Sequence, residues 1–267
     1  MDVLTTAIVL PFVFVFGACI GSFLNVVIYR LPAELSLIHP PSRCPHCEHP
    51  LGKTENVPIL GWLWLRGRCR WCGASISMRY PIIEAATGLL FGFVFWQYQF
   101  TIITIGYWVL ISWLIALAMI DFDTMTLPEE LTKSGLVLGL IFQGIIGWQV
   151  AKTPEYLMAS ITNAALGIWS FCIVRWVGTL VFGKEALGGG DSKLAAMLGA
   201  WFGWRYLLVT SFLACLMGSL FGIFGRVLGF LGRLQYFPFG PFLALGAILS
   251  LFWGEVIIST YMRNFFP

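Results

Sequence analysis

Charge is scarce in this chain. Lys, Arg, Asp and Glu account for 11% of its 267 residues, while hydrophobic types make up 58%. Soluble domains carry about a quarter charged residues. This composition, with a mean hydropathy of +0.84, therefore excludes a soluble globular protein and places the chain in a membrane. A cleavable secretory signal is also lacking. The first residues hold Asp2 rather than a basic n-region, and the apolar stretch runs on to about Val27, so it reads as a first spanning helix. No glycine fingerprint of the dinucleotide type is present, so the residues alone give no site for a nucleotide-like cofactor.

What the chain does have is a series of apolar segments, near 4–27, 84–99, 102–120, 134–150, 157–182, 194–204, 206–230 and 240–260. Only helices and closed barrels satisfy the backbone in lipid. The expected fold is therefore an all-α polytopic membrane protein with about eight transmembrane helices. The sixth segment is short for a span and is expected to tilt, to extend through the glycines before it, or to merge with the seventh. Gly218, Gly222, Gly225 and Gly229 recur at helical spacing, and Gly135, Gly139, Gly144 and Gly147 mark the fourth segment; both sets read as packing residues.

Residues 28–83 break the apolar pattern and hold seven of the sixteen Lys and Arg: Arg30, Arg43, Lys53, Arg66, Arg68, Arg70 and Arg79. The positive-inside rule makes this loop cytoplasmic. Threading eight helices from it puts Lys133, Lys184, Lys193, Arg226 and Arg233 on the same side, with only Lys152, Arg205 and Arg263 outside and Arg175 within the fifth segment. Within the loop, Cys44-Pro45-His46-Cys47 and Cys69-Arg70-Trp71-Cys72 are two C-x-x-C pairs 21 residues apart. Four thiolates so spaced suit a structural tetrahedral zinc site, and a reducing compartment argues against two disulfides. His46 and His49 read as solvated neighbours, since four cysteines complete the site. Cys19, Cys172 and Cys215 read as buried small hydrophobes. The expected organisation is a first helix over 1–27, a zinc domain over 28–83 and a membrane-embedded domain over 84–267.

Two acids stand at the borders of apolar stretches. Asp121 closes Ile115-Ala116-Leu117-Ala118-Met119-Ile120, and Asp191 follows Gly188-Gly189-Gly190. An ionisable group at membrane depth costs about 2.5 kcal/mol or more, so it is seldom kept without a task. Two carboxylates that converge share a proton and activate water, which is the chemistry of aspartic proteolysis. The glycines offer conformations closed to other residues and room for an extended peptide. Simpler readings are a helix N-cap for Asp191 and a surface carboxylate near Lys133 for Asp121. The eight-helix threading sets both acids on the cytoplasmic face. A proton-relay transporter would explain the acids, but neither the cysteines nor the glycines. Asp123 lies two residues further into the loop, where a solvated role is expected.

In chain order these residues resemble the type IV prepilin peptidases, the bifunctional leader peptidase/N-methyltransferases of bacterial pilus and type II secretion systems. The likeness begins with Gly21-Ser22-Phe23-Leu24-Asn25-Val26-Val27-Ile28-Tyr29-Arg30-Leu31-Pro32 and continues through Pro41–Cys47, Asn56-Val57-Pro58, Leu65–Cys69 and Ser77–Glu84. The Asp121 motif, Gly188–Gly203 and Pro238-Phe239-Gly240-Pro241-Phe242 complete it. The resemblance implies that Asp121 and Asp191 are the catalytic pair of the G-x-G-D membrane aspartic proteases. It implies type IV prepilins or pseudopilins as substrates, cut after a glycine that ends a short basic leader. It further implies N-methylation of the new N-terminal residue from S-adenosylmethionine, and a multi-pass protein of the bacterial inner membrane whose active site faces the cytoplasm. Gly67 is carried over as a cofactor-binding candidate for methyl transfer. Glu129 and Glu130 are the acids nearest the first motif, either to meet the basic leader or as solvated loop residues. The alternative is a peptidase without methyltransferase activity, as in relatives that lack the long loop. Nucleic acid is not an expected partner.

Overall fold

The computed structural model describes residues 3–183, 187–229 and 237–265. Lys184 and Arg233, two of the cations in the topology count, lie outside the described residues. Among these there are nine helices and no strand: α1 (Val3–Arg30), α2 (Leu60–Trp64), α3 (Arg79–Tyr98), α4 (Ile102–Thr124), α5 (Glu129–Gln149), α6 (Thr153–Phe182), α7 (Gly189–Phe202), α8 (Trp204–Val227) and α9 (Gly240–Phe265). Every apolar segment read from the sequence is a helix, and α2 is one that no apolar run announced. Six of them, α1, α4, α5, α6, α8 and α9, are long and apolar enough to cross a membrane. The expectation of eight spans thus meets six such helices, and the other two depart for separate reasons.

Helix α3 is diluted by the face it turns to α1, where Glu84, Thr87, Gly88 and Gly92 are buried. A Cβ on Gly88 would lie 2.8 Å from the Phe14 carbonyl oxygen, and one on Gly21 would lie 2.8 Å from Cα of Glu84. At the other end the Thr6 hydroxyl donates to Gln99 Oε1 at 3.5 Å. The two helices thus run antiparallel in contact along their length, with small residues bringing the backbones together.

Helix α7 departs for a different reason. Its 14 residues rise about 21 Å, less than the ~30 Å hydrocarbon core. It extends back through the glycines and stops at Gly203 (φ 81°), so it stays distinct from α8. Its last carbonyls are met by side chains of its neighbours. Gln143 Nε2 donates to Trp201 O at 2.6 Å, and Ser160 Oγ donates to Ala200 O at 2.7 Å. A helix can end among other helices, away from water, only where such donors replace the missing turn.

Two compact units divide at Ala116/Leu117, with α4 contributing to both. In Met1–Ala116, Phe91, Val94, Phe95, Leu110, Ile111 and Leu114 are fully buried, and the Trp108 indole stacks on Phe91 at 5.2 Å. In Leu117–Pro267 the core is Leu117, Ile120, Leu194, Met197, Leu198 and Leu243. Gly139, Gly147, Gly218 and Gly222 serve packing, as expected, whereas Gly229 (φ +78°) follows the end of α8 and meets nothing. Gly139 lies under the Trp201 indole, and Gly218 and Gly222 face the rings of Phe242 and Phe237.

Candidate active site and metal centre

Asp121 sits on the last turn of α4 and Asp191 on the first turn of α7, both within the second unit. Although each borders an apolar stretch, they are 5% and 6% exposed. A solvated surface role for Asp121 is therefore overturned; Lys133 pairs with Glu129 instead. Each acid has one oxygen held by a backbone amide. The Gly240 N–H donates to Asp121 Oδ2 at 2.9 Å, and the Gly188 N–H donates to Asp191 Oδ2 at 3.1 Å. The capping reading of Asp191 holds in part, since it satisfies the N-cap amide of α7 from the third helical position. The carboxylates are close enough for their charges to act on one another. In α7, which does not span, burial and then the Asp121 charge push the Asp191 carboxyl up to about 7, against the pull of the Gly188 N–H.

The glycines of the second motif work differently from the expectation. Gly188 has φ −68°, and none of the three adopts a left-handed backbone. What they supply is space. A Cβ on Gly190 would lie 2.8 Å from Cβ of Leu127, in the loop that follows Asp121, so this glycine lets the two motifs touch. A Cβ on Gly189 would meet the Arg175 guanidinium at 2.9 Å. The protein's own side chains thus stand over these two glycines. Gly240 is the functional residue that sequence reasoning missed. Its Cβ would stand 2.6 Å from Asp121 Oδ2, so only glycine at the start of α9 allows the amide to reach the carboxylate. The signal was present in Pro238-Phe239-Gly240-Pro241, but nothing in that string says which acid it meets.

Around the dyad, Asp123 is exposed, as expected. Glu129 is not free to receive a basic peptide. One of its oxygens pairs with Lys133 and the other with Lys193, two residues beyond Asp191. The pair with Lys193 ties the first turn of α5 to the second turn of α7. Glu130 beside it is exposed.

The cysteines converge in the first unit. The sulfurs of Cys44, Cys47, Cys69 and Cys72 lie within 4.8 Å of one another. Cys44 and Cys72 are 3.8 Å apart and Cys47 and Cys69 are 3.9 Å apart. A zinc ion with Zn–S bonds of ~2.3 Å needs sulfurs ~3.8 Å apart at the corners of its tetrahedron, so the donor set fits the metal. The two knuckles repeat one another. Arg43 bridges to Pro50 and Arg68 to Ser75, while the Cys44 and Cys69 amides donate to His49 O and Ala74 O at 3.0 and 2.8 Å. Amides of Cys47 and His46 hold the Cys44 thiol down to about 6. Cys47 is pushed up to about 12: the His49 amide lowers it, but burial and three thiol neighbours outweigh that. Four thiols this close need a cation before all can ionise. His46 is exposed and the His49 ring rests on Trp71 at 4.1 Å, so neither histidine joins the cluster. Gly67 is buried with φ +68°, and a Cβ there would strike the Trp62 ring at 2.7 Å. Turn shape and packing therefore account for glycine at this position.

Comparison with known proteins places both sites in a familiar sequence context. The family described as the bacterial peptidase A24 N-terminal domain matches residues 15–98, which include the four cysteines. The type IV leader peptidase family matches residues 108–223, which include both aspartates. A prepilin leader peptidase/N-methyltransferase of Stutzerimonas stutzeri is 39% identical over 93% of this chain and 92% of its own length. The protein of the same name from Aeromonas hydrophila is 40% identical over 95% and 93%, and that of Pseudomonas aeruginosa 37% over 92% and 91%. No solved structure matches the chain.

Proposed function

The chain belongs to the type IV leader peptidase family, and from that premise we propose that it removes the leader from type IV prepilins and related pseudopilins by aspartic chemistry at Asp121 and Asp191. In the same proposal it then N-methylates the new N-terminal residue. One observation carries the peptidase reading: two carboxylates from separate motifs are buried within reach of one another's charge, each with one oxygen fixed by a glycine amide. The amides occupy Oδ2 of both residues. The other oxygens are left for the shared proton and the attacking water. One carboxylate takes a proton from water as its protonated partner polarises the scissile carbonyl, and the roles then exchange. The pair titrates as a unit, so the proton belongs to both.

The basic loop on residues 28–83 supports a cytoplasmic placement for that loop and for the dyad, in the inner membrane of a bacterium. Glu130, exposed beside the strapped Glu129, is the acid left to meet a basic leader. The zinc centre shapes the loop. S-adenosylmethionine, when bound, supplies the methyl group. Gly67, buried beneath Trp62, would contribute through the turn that carries Arg66 and Arg68 rather than by touching the donor. A peptidase lacking the transferase is the second reading, and the intact four-cysteine loop favours the bifunctional one.

Intact mass spectrometry of a purified prepilin, incubated with this protein and S-adenosylmethionine in detergent, tests the proposal. A product without its leader and with one added methyl is expected. Leader loss without the methyl selects the second reading, and an unchanged prepilin overturns both.

A further inference from the structure

Helix α2 turns its apolar face outward. Trp64 is 89% exposed, Leu60 64%, Leu63 55% and Val57 42%. Leu60, Leu63 and Trp64 stand at positions i, i+3 and i+4 of this one helical turn and so share a face, with Val57 just before the helix. The opposite face does the packing. Gly61 is buried, and the Trp62 indole donates to Ile76 O at 3.0 Å, which fastens the helix to the metal module. Arg66, Arg68 and Arg70 follow directly and are exposed, and no carboxylate pairs with any of them among the described residues. A water-facing helix of a soluble module has the reverse polarity.

The level of α2 against the spanning helices says what covers that face. The Ile59 N–H, at its N-cap, donates to Glu84 Oε2 at 2.7 Å. Glu84 is the sixth residue of α3 and packs on Gly21 of α1, nine residues before that helix ends at Arg30. At 1.5 Å per residue, α2 begins about 13 Å short of that end of α1. Helix α1 has 28 residues, about 42 Å, some 12 Å more than the hydrocarbon core needs. If that surplus lies on the loop side, α2 stands at the boundary between headgroups and acyl chains. There an aromatic and aliphatic face is favoured, and arginines just beyond it meet phosphates.

We propose that the metal module is seated on the bilayer itself, with Leu60, Leu63 and Trp64 immersed in the leaflet and Arg66, Arg68 and Arg70 on anionic phospholipid headgroups. Charge selects this occupant. Three arginines beside the patch repel a basic leader peptide, and they repel the same face of a second copy of this chain. The inference rests on the membrane reading, not on the peptidase one. It gives the metal centre a second task, which is to hold a docking face at fixed depth beside α3.

The test uses the full-length protein in nanodiscs doped with a phospholipid that carries a photoactivatable acyl chain, with adducts mapped by mass spectrometry. Adducts are expected on the 57–64 segment as well as on the exposed flank of α1, and not on the knuckle at 44–50. Replacing part of a phosphatidylcholine bilayer with phosphatidylglycerol should raise the 57–64 yield. A roughly fivefold gain per arginine is the scale expected at an anionic surface. Arg66→Gln with Arg68→Gln and Arg70→Gln should return the yield to its phosphatidylcholine value, with metal content unchanged. Adducts on α1 without any on 57–64 overturn the docking, as does a yield indifferent to headgroup charge. Loss of 57–64 adducts when prepilin is added would assign the face to the substrate instead. Absence of adducts on α1 would sink the membrane reading on which the inference stands.

Discussion

Replacing Gly240 by alanine tests how the dyad is held. The new Cβ would stand 2.6 Å from Asp121 Oδ2 and 3.0 Å from Cγ. Ordinary contact begins near 3.4 Å, so about 0.8 Å of overlap must be relieved. The intruding carbon is on the first residue of α9 and the carboxylate on the last turn of α4. Relief therefore swings the carboxylate or shifts the start of α9, and either breaks the 2.9 Å bond from the Gly240 amide. A hydrogen bond to a charged group contributes about 1.5–3 kcal/mol, and each 1.36 kcal/mol is roughly tenfold in rate. Misplacing a reacting group by about 1 Å costs a similar hundredfold. Gly240→Ala should lower kcat for leader cleavage about hundredfold while KM stays within a few fold, because the Gly240 amide holds the Asp121 carboxylate. The assay is single-turnover cleavage of a purified prepilin in detergent, with zinc content and melting as checks on folding. Gly218→Ala is the control, since its Cβ would find its nearest neighbour at 3.7 Å. A folded Gly240→Ala enzyme within about threefold of the parent rate would refute the claim that this amide positions Asp121.

Other outcomes follow from the same geometry. With the Asp191 carboxyl raised to about 7, cleavage should fall as pH rises past that value and the pair gives up its shared proton, which a pH–rate profile reads directly. The folded carboxyl also keeps its proton to higher pH than an unfolded one near 3.9, so this group costs stability as pH rises from about 4 to about 7. In Asp191→Asn that part of the pH dependence of melting should disappear. Cys69→Ser should lose the metal and lower the melting temperature, with cleavage falling less steeply than methylation; unchanged zinc by elemental analysis would contradict the four-sulfur site. Glu130→Gln should raise KM for a basic leader and flatten the salt dependence of cleavage, whereas Glu129→Gln, whose partners are Lys133 and Lys193, should change KM less. The reverse order would restore Glu129 as the acid that receives the leader.

Much of the fold was legible because apolar run length is the dominant signal in a membrane chain. The eight helices that carry those runs were readable for that reason. Helix α3 escaped a hydropathy criterion because its polar and small residues, Glu84, Thr87 and Gly88, are spent on contact with α1. Helix α7 is short because Gln143 and Ser160, distant in sequence, supply the donors that end it. Helix α2 has five residues, too few to leave a periodic trace. The two aspartates and four cysteines stood out because a charge at an apolar border and a repeated C-x-x-C spacing are each costly or unusual alone. Gly240 did not, since its role depends on a contact 119 residues away. The Glu129–Lys193 strap was hidden for the same reason, across 64 residues. The glycines before Asp191 stood out in the sequence, but they lack the left-handed backbone expected of them, because the sequence alone does not separate backbone freedom from side-chain space.

The central claim is that Asp121 and Asp191 act as one catalytic unit. It is tested most directly by measuring leader cleavage in Asp121→Asn, Asp191→Asn and the double variant, each verified as folded and zinc-loaded. The account predicts that either single substitution abolishes cleavage and that the double variant is no worse. Cleavage surviving in either single variant would contradict it.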